Sequence, residues 1–282
     1  MDHILSGIPV AKALQEENAR IAAGLRERGI VPALAILQVG SRPDAMRYAQ
    51  MLQKKSAECG IDVKLTELAQ DAPQAAVCAA LEMLNRDPAV HGILLMRPLP
   101  EGMDEEGLRN RIRPEKDVDS ATDASLAGVF TSKPLGFAPA TPQAVLEILR
   151  YYGIPLRGKK VVVVGRSLVV GRPLAMLLLA QDATVTICHS KTENLPQLTR
   201  EADIVVAALA KPEALGADCF RKGQIVVDVG IHRRGDGSFC GDVAFSEAEP
   251  LAQAITPVPG GVGSVTTAVM LRHVVQAAEN KE

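Results

Sequence analysis

Short, almost wholly apolar runs alternate with longer amphipathic segments along most of this chain. The clearest run is VVVV at 161–164, which is typical of a parallel strand buried on both faces. A glycine-bearing turn and an apolar helical pattern follow it, and similar strand–turn–helix successions recur elsewhere. The pattern therefore predicts right-handed βαβ units and parallel sheets, that is, an α/β fold.

The periodicity divides the chain into two lobes with a cleft between them. In the first lobe, helices are predicted at 8–28, 45–59 and 73–85, and strands at 32–40, 63–68 and 90–95. In the second, a helix is predicted at 142–152, strands at 161–164, 183–189, 202–208 and 223–230, a Gly/Pro-rich loop at 256–265 and a last helix at 266–280. Residues 101–142 show little periodicity and are predicted to form a long irregular segment, which in a compact chain is usually functional.

The segment after 161–164 carries a glycine-rich motif that suits nucleotide binding. Gly165 ends the strand and Gly171 precedes the helix, whose N-terminus offers unpaired N–H groups to a phosphate. The match to the dinucleotide fingerprint G-x-G-x-x-G is incomplete, because Ser167 replaces the middle glycine and the spacing is one residue longer. The motif alone is equally compatible with a dinucleotide site and with an ordinary strand–turn–helix connection.

The end of the next strand favours the dinucleotide site and indicates which cofactor it takes. NAD sites usually place Asp or Glu here to bind the ribose 2′-hydroxyl, whereas this strand is followed by Ser190 and Lys191. Arg166 and Arg172 add two cations in the preceding loop. The pattern favours a 2′-phosphate, and so NADP as the cofactor, with NAD as the alternative.

Composition excludes several other classes of function. The 282 residues suffice for one large or two ordinary domains, and a net charge of −2 indicates neither nucleic acid nor a membrane surface as partner. No apolar run is long enough to span a bilayer, and no signal peptide is expected. The five cysteines are scattered without a C-x-x-C pair, so neither a metal site nor a disulfide framework is indicated and a cytoplasmic location is expected.

Several stretches, taken together and in order, resemble one enzyme family. They include VGSRPDAMRYAQ at 39–50, PEKDVDS at 114–120, GKKVVVVGRSLVVGRP at 158–173, VVDVGI at 226–231, GDV at 241–243 and ITPVPGGVGSVTTA at 255–268. The chain resembles the methylenetetrahydrofolate dehydrogenase/cyclohydrolase family, called FolD in bacteria. The resemblance implies a folate-binding domain at 1–142 joined by the C-terminal helix 266–282, a Rossmann-type cofactor domain at 143–265, and a homodimer.

The resemblance also implies a reaction and its residues. The family oxidises 5,10-methylene-tetrahydrofolate to 5,10-methenyl-tetrahydrofolate, and bifunctional members then hydrolyse it to 10-formyl-tetrahydrofolate. The catalytic residues implied are Tyr48 and Asp119, and the substrate-binding residues are these two with Pro259, Gly260 and Gly261. The implied cofactor-binding residues are Gly165, Arg166, Ser167, Gly171, Ser190, Lys191 and Ile231. No metal is implied.

Two departures from the family pattern remove polar side chains. The family carries Tyr-x-x-x-Lys on its first cleft helix, whereas here Tyr48 is followed four residues on by Leu52. The family also has G-I-L-V-Q-L-P-L-P, whereas 92–100 reads GILLMRPLP, with Met96 at the glutamine position. In the family, Lys and Gln serve the hydrolytic step, and neither leucine nor methionine can donate or accept a proton. The sequence therefore predicts a dehydrogenase whose cyclohydrolase activity is weak or absent.

Other interpretations remain open from the sequence alone. Lys55, on the same helix face as Leu52, or Arg97, next to Met96, would substitute for the missing groups in a bifunctional enzyme. A folate or nucleotide binder without catalysis is the other alternative, although the complete cofactor loop speaks against it. Tyr48 is either core filling or packs on the folate ring, and Asp119 either stabilises a turn or accepts hydrogen bonds from the pterin.

Overall fold

The computed structural model describes residues 3–280 of the chain. These residues form two compact units, one made of the residues up to Lys12 with Ala140–Thr266, the other of Ala13–Pro139 with the residues from Thr267 onward. Each unit is built on a parallel sheet, so the predicted α/β class is confirmed. We call them, after their main sheets, the five-stranded unit and the three-stranded unit.

The three-stranded unit has a fully buried strand at its centre. Its strands are β1 (Ala33–Val39), β2 (Asp62–Leu68) and β3 (Gly92–Leu95), in the order β2-β1-β3 and all parallel. Its helices are α1 (Gly7–Glu27, from residue 13 on), α2 (Pro43–Glu58), α3 (Gln74–Arg86) and α10 (Thr266–Glu279, from residue 267 on), with two short helices described below. All seven residues of β1 are buried because β1 is the central strand, whereas most residues of β2, at the sheet edge, are exposed or half-buried.

Helix α2 carries the predicted site residue Tyr48, and its sequence explains where the helix begins and ends. Pro43 lies in the first turn, where the missing N–H removes no intrahelical hydrogen bond. The helix ends at Glu58, and Gly60 follows with a φ of 70°, as expected for a residue just beyond a helix. The buried residues of α2 recur every three or four positions, which defines one inward face: Ala45, Ala49, Leu52 and Ser56.

The prediction of a wholly irregular segment at 101–142 is wrong in detail. It contains helices α4 (Glu105–Arg109) and α5 (Asp123–Thr131), with a 3₁₀ turn at Pro114–Lys116 between them. A side chain caps the N-terminus of each helix. Asp104 accepts from the Gly107 N–H at 2.9 Å, and Thr122 accepts from the Ser125 N–H at 3.1 Å. Helices of one to three turns show too few apolar repeats for periodicity to reveal them.

The five-stranded unit is wound in both directions from its first strand in chain order. Its parallel strands are β4 (Lys160–Val164), β5 (Thr184–Cys188), β6 (Ile204–Ala207), β7 (Gln224–Asp228) and β10 (Ala252–Ile255). Their order is β10-β7-β6-β4-β5, so the chain leaves β4 on one side and later returns to its other side at β6. This reversal is the point at which open α/β sheets bind ligands.

Several short elements of this unit were absent from the sequence prediction. They are strand β10, helices α8 (Leu195–Glu201) and α9 (Phe245–Ala248), and the antiparallel pair β8 (His232–Arg233) and β9 (Phe239–Cys240). The longer helices α6 (Ala140–Tyr151) and α7 (Gly171–Leu179) lie where the pattern predicts them. The missed elements have two to seven residues, so their hydrophobic period has no room to repeat.

Within residues 3–280, no helix combines the length and the apolar character needed to cross a membrane. The His, Cys, Asp and Glu residues of this range form no group of three or more that would hold a metal ion.

Candidate functional site

A cavity of about 600 Å³ opens in the five-stranded unit, at the carboxyl ends of its strands. Its walls come from the loops that follow β4, β5, β6 and β7, and we call it the strand-end cavity. Five of the predicted cofactor-binding residues line it together: Gly165, Arg166, Ser167, Ser190 and Ile231. The cavity lies beside the strand-order reversal, where a nucleotide is expected in a doubly wound sheet.

Two glycines let the loop after β4 approach neighbouring backbone closely. Gly165 has a φ of 143°, and a Cβ on it would lie 2.1 Å from the carbonyl oxygen of Ala208. A Cβ on Gly171 would lie 2.1 Å from the carbonyl oxygen of Gly165. Helix α7 begins here without a side-chain cap, and Ser167 Oγ accepts from the Val170 N–H at 3.1 Å within the loop. Tight backbone beside an uncapped helix N-terminus fits the phosphates of a nucleotide.

Only some of the residues predicted to bind and select the cofactor line the strand-end cavity. Arg166 and Ser190 line the strand-end cavity, whereas Lys191 and Gly171 are not part of its lining. Arg172 is tied to the loop, because its Nε donates to the Arg166 carbonyl oxygen at 3.0 Å. A cation and a hydroxyl therefore border the cavity at the ends of β4 and β5.

Two buried aspartates, neither among the predicted site residues, shape the wall formed after β6 and β7. Asp242 accepts from three consecutive backbone N–H groups at 2.6–3.1 Å, those of Leu209, Ala210 and Lys211. Asp228 accepts from the N–H groups of Gly230, Asp242 and Val243 at 2.9–3.0 Å. Burial raises the pKa of Asp228 to about 6 in spite of these hydrogen bonds. In the sequence, these two aspartates could have been found from the stretches that contain them, VVDVGI for Asp228 and GDV for Asp242.

The predicted substrate residues Pro259, Gly260 and Gly261 belong to the five-stranded unit, in the loop that follows β10. The Gly7 N–H donates to the Gly260 carbonyl oxygen at 2.7 Å, and the Leu5 N–H donates to the carbonyl oxygen of Ile255 at 2.8 Å. These hydrogen bonds hold the end of β10 and the loop after it against residues 5–7.

Tyr48 and Asp119, the two predicted catalytic residues, are brought together in the three-stranded unit, and we call them the Tyr48–Asp119 site. Tyr48 lies on α2 with 40% of its surface exposed, and burial of its hydroxyl together with the Asp119 charge raises its pKa to about 12. Burial raises the pKa of Asp119 to about 6; the nearby Arg97 lowers that pKa and Asp117 raises it. The two side chains therefore interact electrostatically, which a sequence separation this large does not reveal.

Two buried charged residues fix the stretch PEKDVDS, which contains Asp119. The buried Lys116 ammonium donates to the carbonyl oxygens of Leu84 and Asp87, at 2.8 and 2.7 Å, where α3 ends. The buried Asp117 carboxylate accepts from the N–H groups of Ala121 and Thr122, each at 2.8 Å, and from Ser125 Oγ at 2.6 Å. The charges of Lys116 and Asp117 thus anchor the segment, whereas a third of the Asp119 side chain, 32%, is exposed.

Of the positions that depart from the family pattern, two are apolar and buried, and the neighbouring Arg97 is a cation that reaches Asp119. Leu52 is fully buried, and Met96 is 9% exposed. Arg97, which follows Met96, forms ion pairs with Asp119 at 3.7 Å and with Glu105 at 3.8 Å. Lys55 instead pairs along its own helix, since its Nζ lies 3.0 Å from a carboxylate oxygen of Glu58.

Comparison with known proteins decides the family. Residues 5–119 match "Tetrahydrofolate dehydrogenase/cyclohydrolase, catalytic domain", and residues 139–282 match "Tetrahydrofolate dehydrogenase/cyclohydrolase, NAD(P)-binding domain". The chain belongs to the tetrahydrofolate dehydrogenase/cyclohydrolase family. It is thus an oxidoreductase of one-carbon folate metabolism, and the strand-end cavity lies in its NAD(P)-binding domain.

Its relatives match over nearly their whole length. The chain is 50% identical over 277 residues to "Bifunctional protein FolD" of Carboxydothermus hydrogenoformans, covering 98% of this chain and 96% of the relative. The bifunctional FolD structure from Campylobacter jejuni superposes with a TM-score of 0.95 at 37% identity, covering 99% of each chain. The Trypanosoma brucei dehydrogenase-cyclohydrolase, "complexed with NADP cofactor and inhibitor", gives 0.89 at 34% identity, covering 99% and 97%.

Proposed function

We propose that this chain is a monofunctional dehydrogenase that oxidises 5,10-methylene-tetrahydrofolate to 5,10-methenyl-tetrahydrofolate with NADP. The observation that carries the proposal is the apolar pair Leu52 and Met96. These residues stand where the family sequence pattern has Lys and Gln, and both side chains are buried. Hydrolysis of the methenyl carbon requires protons to move, which neither side chain can do. We propose that this step is weak or absent.

Oxidation makes a smaller demand on the protein than hydrolysis does. When bound, the cofactor supplies a nicotinamide ring that accepts the hydride. The positive charge left on the one-carbon unit is delocalised onto the adjacent folate nitrogens, so no side chain has to remove a proton. The protein chiefly has to hold the two reacting carbons close and aligned. Loss of a lysine therefore harms hydrolysis more than oxidation.

In this proposal the predicted site residues bind and position the substrate and the cofactor. Tyr48 packs against the folate ring, and the Asp119 carboxylate accepts hydrogen bonds from pterin N–H groups. The loop Pro259–Gly261 contributes backbone to the substrate site. In the strand-end cavity, the tight turn at Gly165 and the N-terminus of α7 hold the cofactor phosphates.

NADP is preferred over NAD in this proposal because of the groups around the second strand end. Arg166 and Ser190 border the cavity, and His-Ser-Lys-Thr follows β5 without an acidic residue. A guanidinium and a hydroxyl suit a 2′-phosphate, which an aspartate would repel. The relative from Trypanosoma brucei that contains NADP supports the same choice.

A bifunctional enzyme is the second candidate, because the 50% identical relative is called bifunctional. It would need a substitute for the missing lysine. Lys55 is paired with Glu58, which leaves Arg97, beside Asp119, as the cation at the right place. A guanidinium stays protonated at neutral pH and is a poor proton carrier, so the monofunctional proposal remains the better one.

We further propose a cytoplasmic homodimer. The segment from the β4–α7 loop to β5 exposes Leu168, Val169, Leu179 and Ile187, and β5 is an edge strand. Apolar exposure beside an open sheet edge suits a second copy of the chain. Size-exclusion chromatography coupled to light scattering measures the molar mass of the protein, and a monomeric mass at micromolar concentration would contradict the dimer.

The cytoplasmic location is supported by the cysteines. All five are free thiols, in keeping with a reducing compartment.

The dehydrogenase itself is tested by mixing purified protein with 5,10-methylene-tetrahydrofolate and either NADP or NAD. Reduced nicotinamide and the methenyl product are followed at two wavelengths. We expect both signals to rise together, and faster with NADP. Reduction without methenyl accumulation would support the bifunctional candidate. No reduction with either cofactor would contradict the proposal and favour a binder without catalysis.

A further inference from the structure

Arg97 lies at a position where the family sequence pattern has leucine, and its side chain connects two acidic residues from different segments. One guanidinium nitrogen lies 3.7 Å from a carboxylate oxygen of Asp119, and the other lies 3.8 Å from a carboxylate oxygen of Glu105. The three side chains are each between 32% and 39% exposed, so the cluster lies at the border of the protein interior.

Glu105, the residue of this cluster that does not contact Asp119, is itself held in place. Glu105, in the first turn of α4, accepts a hydrogen bond from the Leu99 N–H at 3.3 Å. On the other side of Arg97, the Met96 N–H donates to the carbonyl oxygen of Leu37 at 2.9 Å and continues the sheet. The backbone on both sides of Arg97 is therefore held, and its side chain reaches Asp119 from a defined position.

The groups that face Asp119 come from its own segment and from two others. Tyr48 approaches from α2, Arg97 from the end of β3, and Asp117 from the same segment as Asp119, while Glu105 faces the other side of the guanidinium. Asp117 already accepts three hydrogen bonds from residues 121–125. Arg97 is then the group that opposes the effect of burial and of Asp117 on the Asp119 carboxyl.

We propose that Arg97 is a positioning residue for Asp119: anchored by Glu105, its guanidinium holds the Asp119 carboxyl ionised and oriented to accept hydrogen bonds from a pterin. This inference rests on the proposed function, because it concerns the same substrate site. It also explains how Asp119 remains an acceptor although no lysine stands at position 52 to supply a positive charge. A guanidinium suits this role because it stays charged over the whole working range of pH.

The test is the pH dependence of kcat/KM for 5,10-methylene-tetrahydrofolate with NADP, from pH 5.5 to 8.5. In the native enzyme the activity should fall as the pH drops through about 6, where Asp119 takes up a proton. In Arg97→Leu this acid limb should move up by about one pH unit, so the loss is about tenfold at low pH and small at pH 8.5. Arg97→Lys should restore most of the native profile.

Arg113→Leu is the matched control, because Arg113 pairs with Glu115 at 3.9 Å on the segment that leads to Asp119. Its acid limb should coincide with that of the native enzyme. An unshifted limb in Arg97→Leu, or an equal loss at every pH, would overturn the proposal. If hydrolysis of the methenyl product is present and disappears in Arg97→Leu, Arg97 acts in the second reaction and the proposal is also wrong.

A binding measurement separates this inference from the proposed function. If the native protein reduces neither cofactor, the dehydrogenase proposal fails, but the pairing of Arg97 with Asp119 is still testable. Calorimetry with 5-formyl-tetrahydrofolate, a stable pterin ligand, should then show affinity that falls below pH 6 in the native protein and already below about pH 7 in Arg97→Leu. Identical pH dependence of binding in the two proteins would contradict the role of Arg97.

Discussion

In the strand-end cavity, the shape of the site depends on backbone. Gly165 and Gly171 leave no room for a Cβ, and Asp242 fixes one wall by binding three consecutive N–H groups. At the Tyr48–Asp119 site the chemistry depends instead on single side chains at the surface of α2 and at the ends of loops. Leu52 is fully buried within the unbroken helix α2, and Met96, directly after β3, is 9% exposed.

This difference shows how one reaction can be lost while another is kept. A backbone-built site fails when its packing changes, because a larger residue at Gly165 or Gly171 would clash with neighbouring backbone. A side-chain site loses a single step when the group for that step is replaced. In the proposed function, hydride transfer uses positioning at both sites, whereas hydrolysis needs a proton carrier at the Tyr48–Asp119 site alone.

The largest effect is expected from Gly165→Ala. The added methyl group would meet the Ala208 carbonyl oxygen at 2.1 Å in a conformation that alanine rarely adopts. We expect destabilisation of about 1–3 kcal/mol and a loss of NADPH affinity of roughly a hundredfold. Thermal unfolding and NADPH fluorescence titration measure the two effects. Gly24→Ala is the control, because nothing lies within 4 Å of its Cβ position in α1; unchanged NADPH affinity in Gly165→Ala would contradict the cofactor site.

Ser190→Asp should reverse the cofactor preference. A carboxylate at the end of β5 accepts hydrogen bonds from the ribose hydroxyls of NAD and repels the 2′-phosphate of NADP. We expect the ratio of kcat/KM with NADP to that with NAD to fall roughly ten- to hundredfold. Lys191→Ala, which removes a cation outside the cavity lining, should change the ratio less. A ratio that Ser190→Asp leaves unaltered would remove Ser190 from the cofactor site.

Leu52→Lys combined with Met96→Gln should add hydrolysis. We expect the hydrolysis of 5,10-methenyl-tetrahydrofolate to exceed the spontaneous rate by about tenfold, less than a native proton carrier supplies. Leu52 is fully buried, so a lysine there also lowers the melting temperature. Leu52→Met with Met96→Leu is the apolar control and should gain nothing. A folded double variant without any gain would show that the site has diverged beyond these two positions.

The smallest effect is expected from Lys55→Ala. Because Lys55 is paired with Glu58 on the helix surface, its removal should change the rate of oxidation less than twofold and stability by about 0.5 kcal/mol. Lys54→Ala, which removes an exposed neighbouring lysine, is the control. Enzyme-dependent hydrolysis that is present in the native protein and absent only in Lys55→Ala would assign the missing role to Lys55.

The elements predicted well are those in which one physical signal repeats. The valine run of β4 and the apolar strand β1 are buried on both faces, so their hydrophobicity is continuous. The amphipathic helices α1, α2 and α3 show several turns of a regular pattern. By contrast, α4 and α5 depend on local caps at Asp104 and Thr122, and β8 pairs with β9 over only two residues each.

The candidate site was predictable to the extent that its residues belong to short motifs. Gly165, Arg166, Ser167 and Ser190 line one cavity, as expected from a strand–turn–helix unit followed by a second strand. The ion pairs of Arg97 with Asp119 and Glu105 were not predictable, because they join three segments that only the tertiary fold brings together. Asp242 was missed for a similar reason, since its partners lie in the loop after β6.

The central claim, that oxidation is retained and hydrolysis lost, is tested most directly by supplying 5,10-methenyl-tetrahydrofolate to the purified protein and following the decay of its absorbance. The enzyme sample is compared with a buffer blank at the same pH, and the same protein sample is shown in parallel to reduce NADP with 5,10-methylene-tetrahydrofolate. We predict a decay equal to the spontaneous rate in a sample that is active in oxidation. A decay that accelerates in proportion to the enzyme concentration would contradict the account and make the chain a bifunctional enzyme.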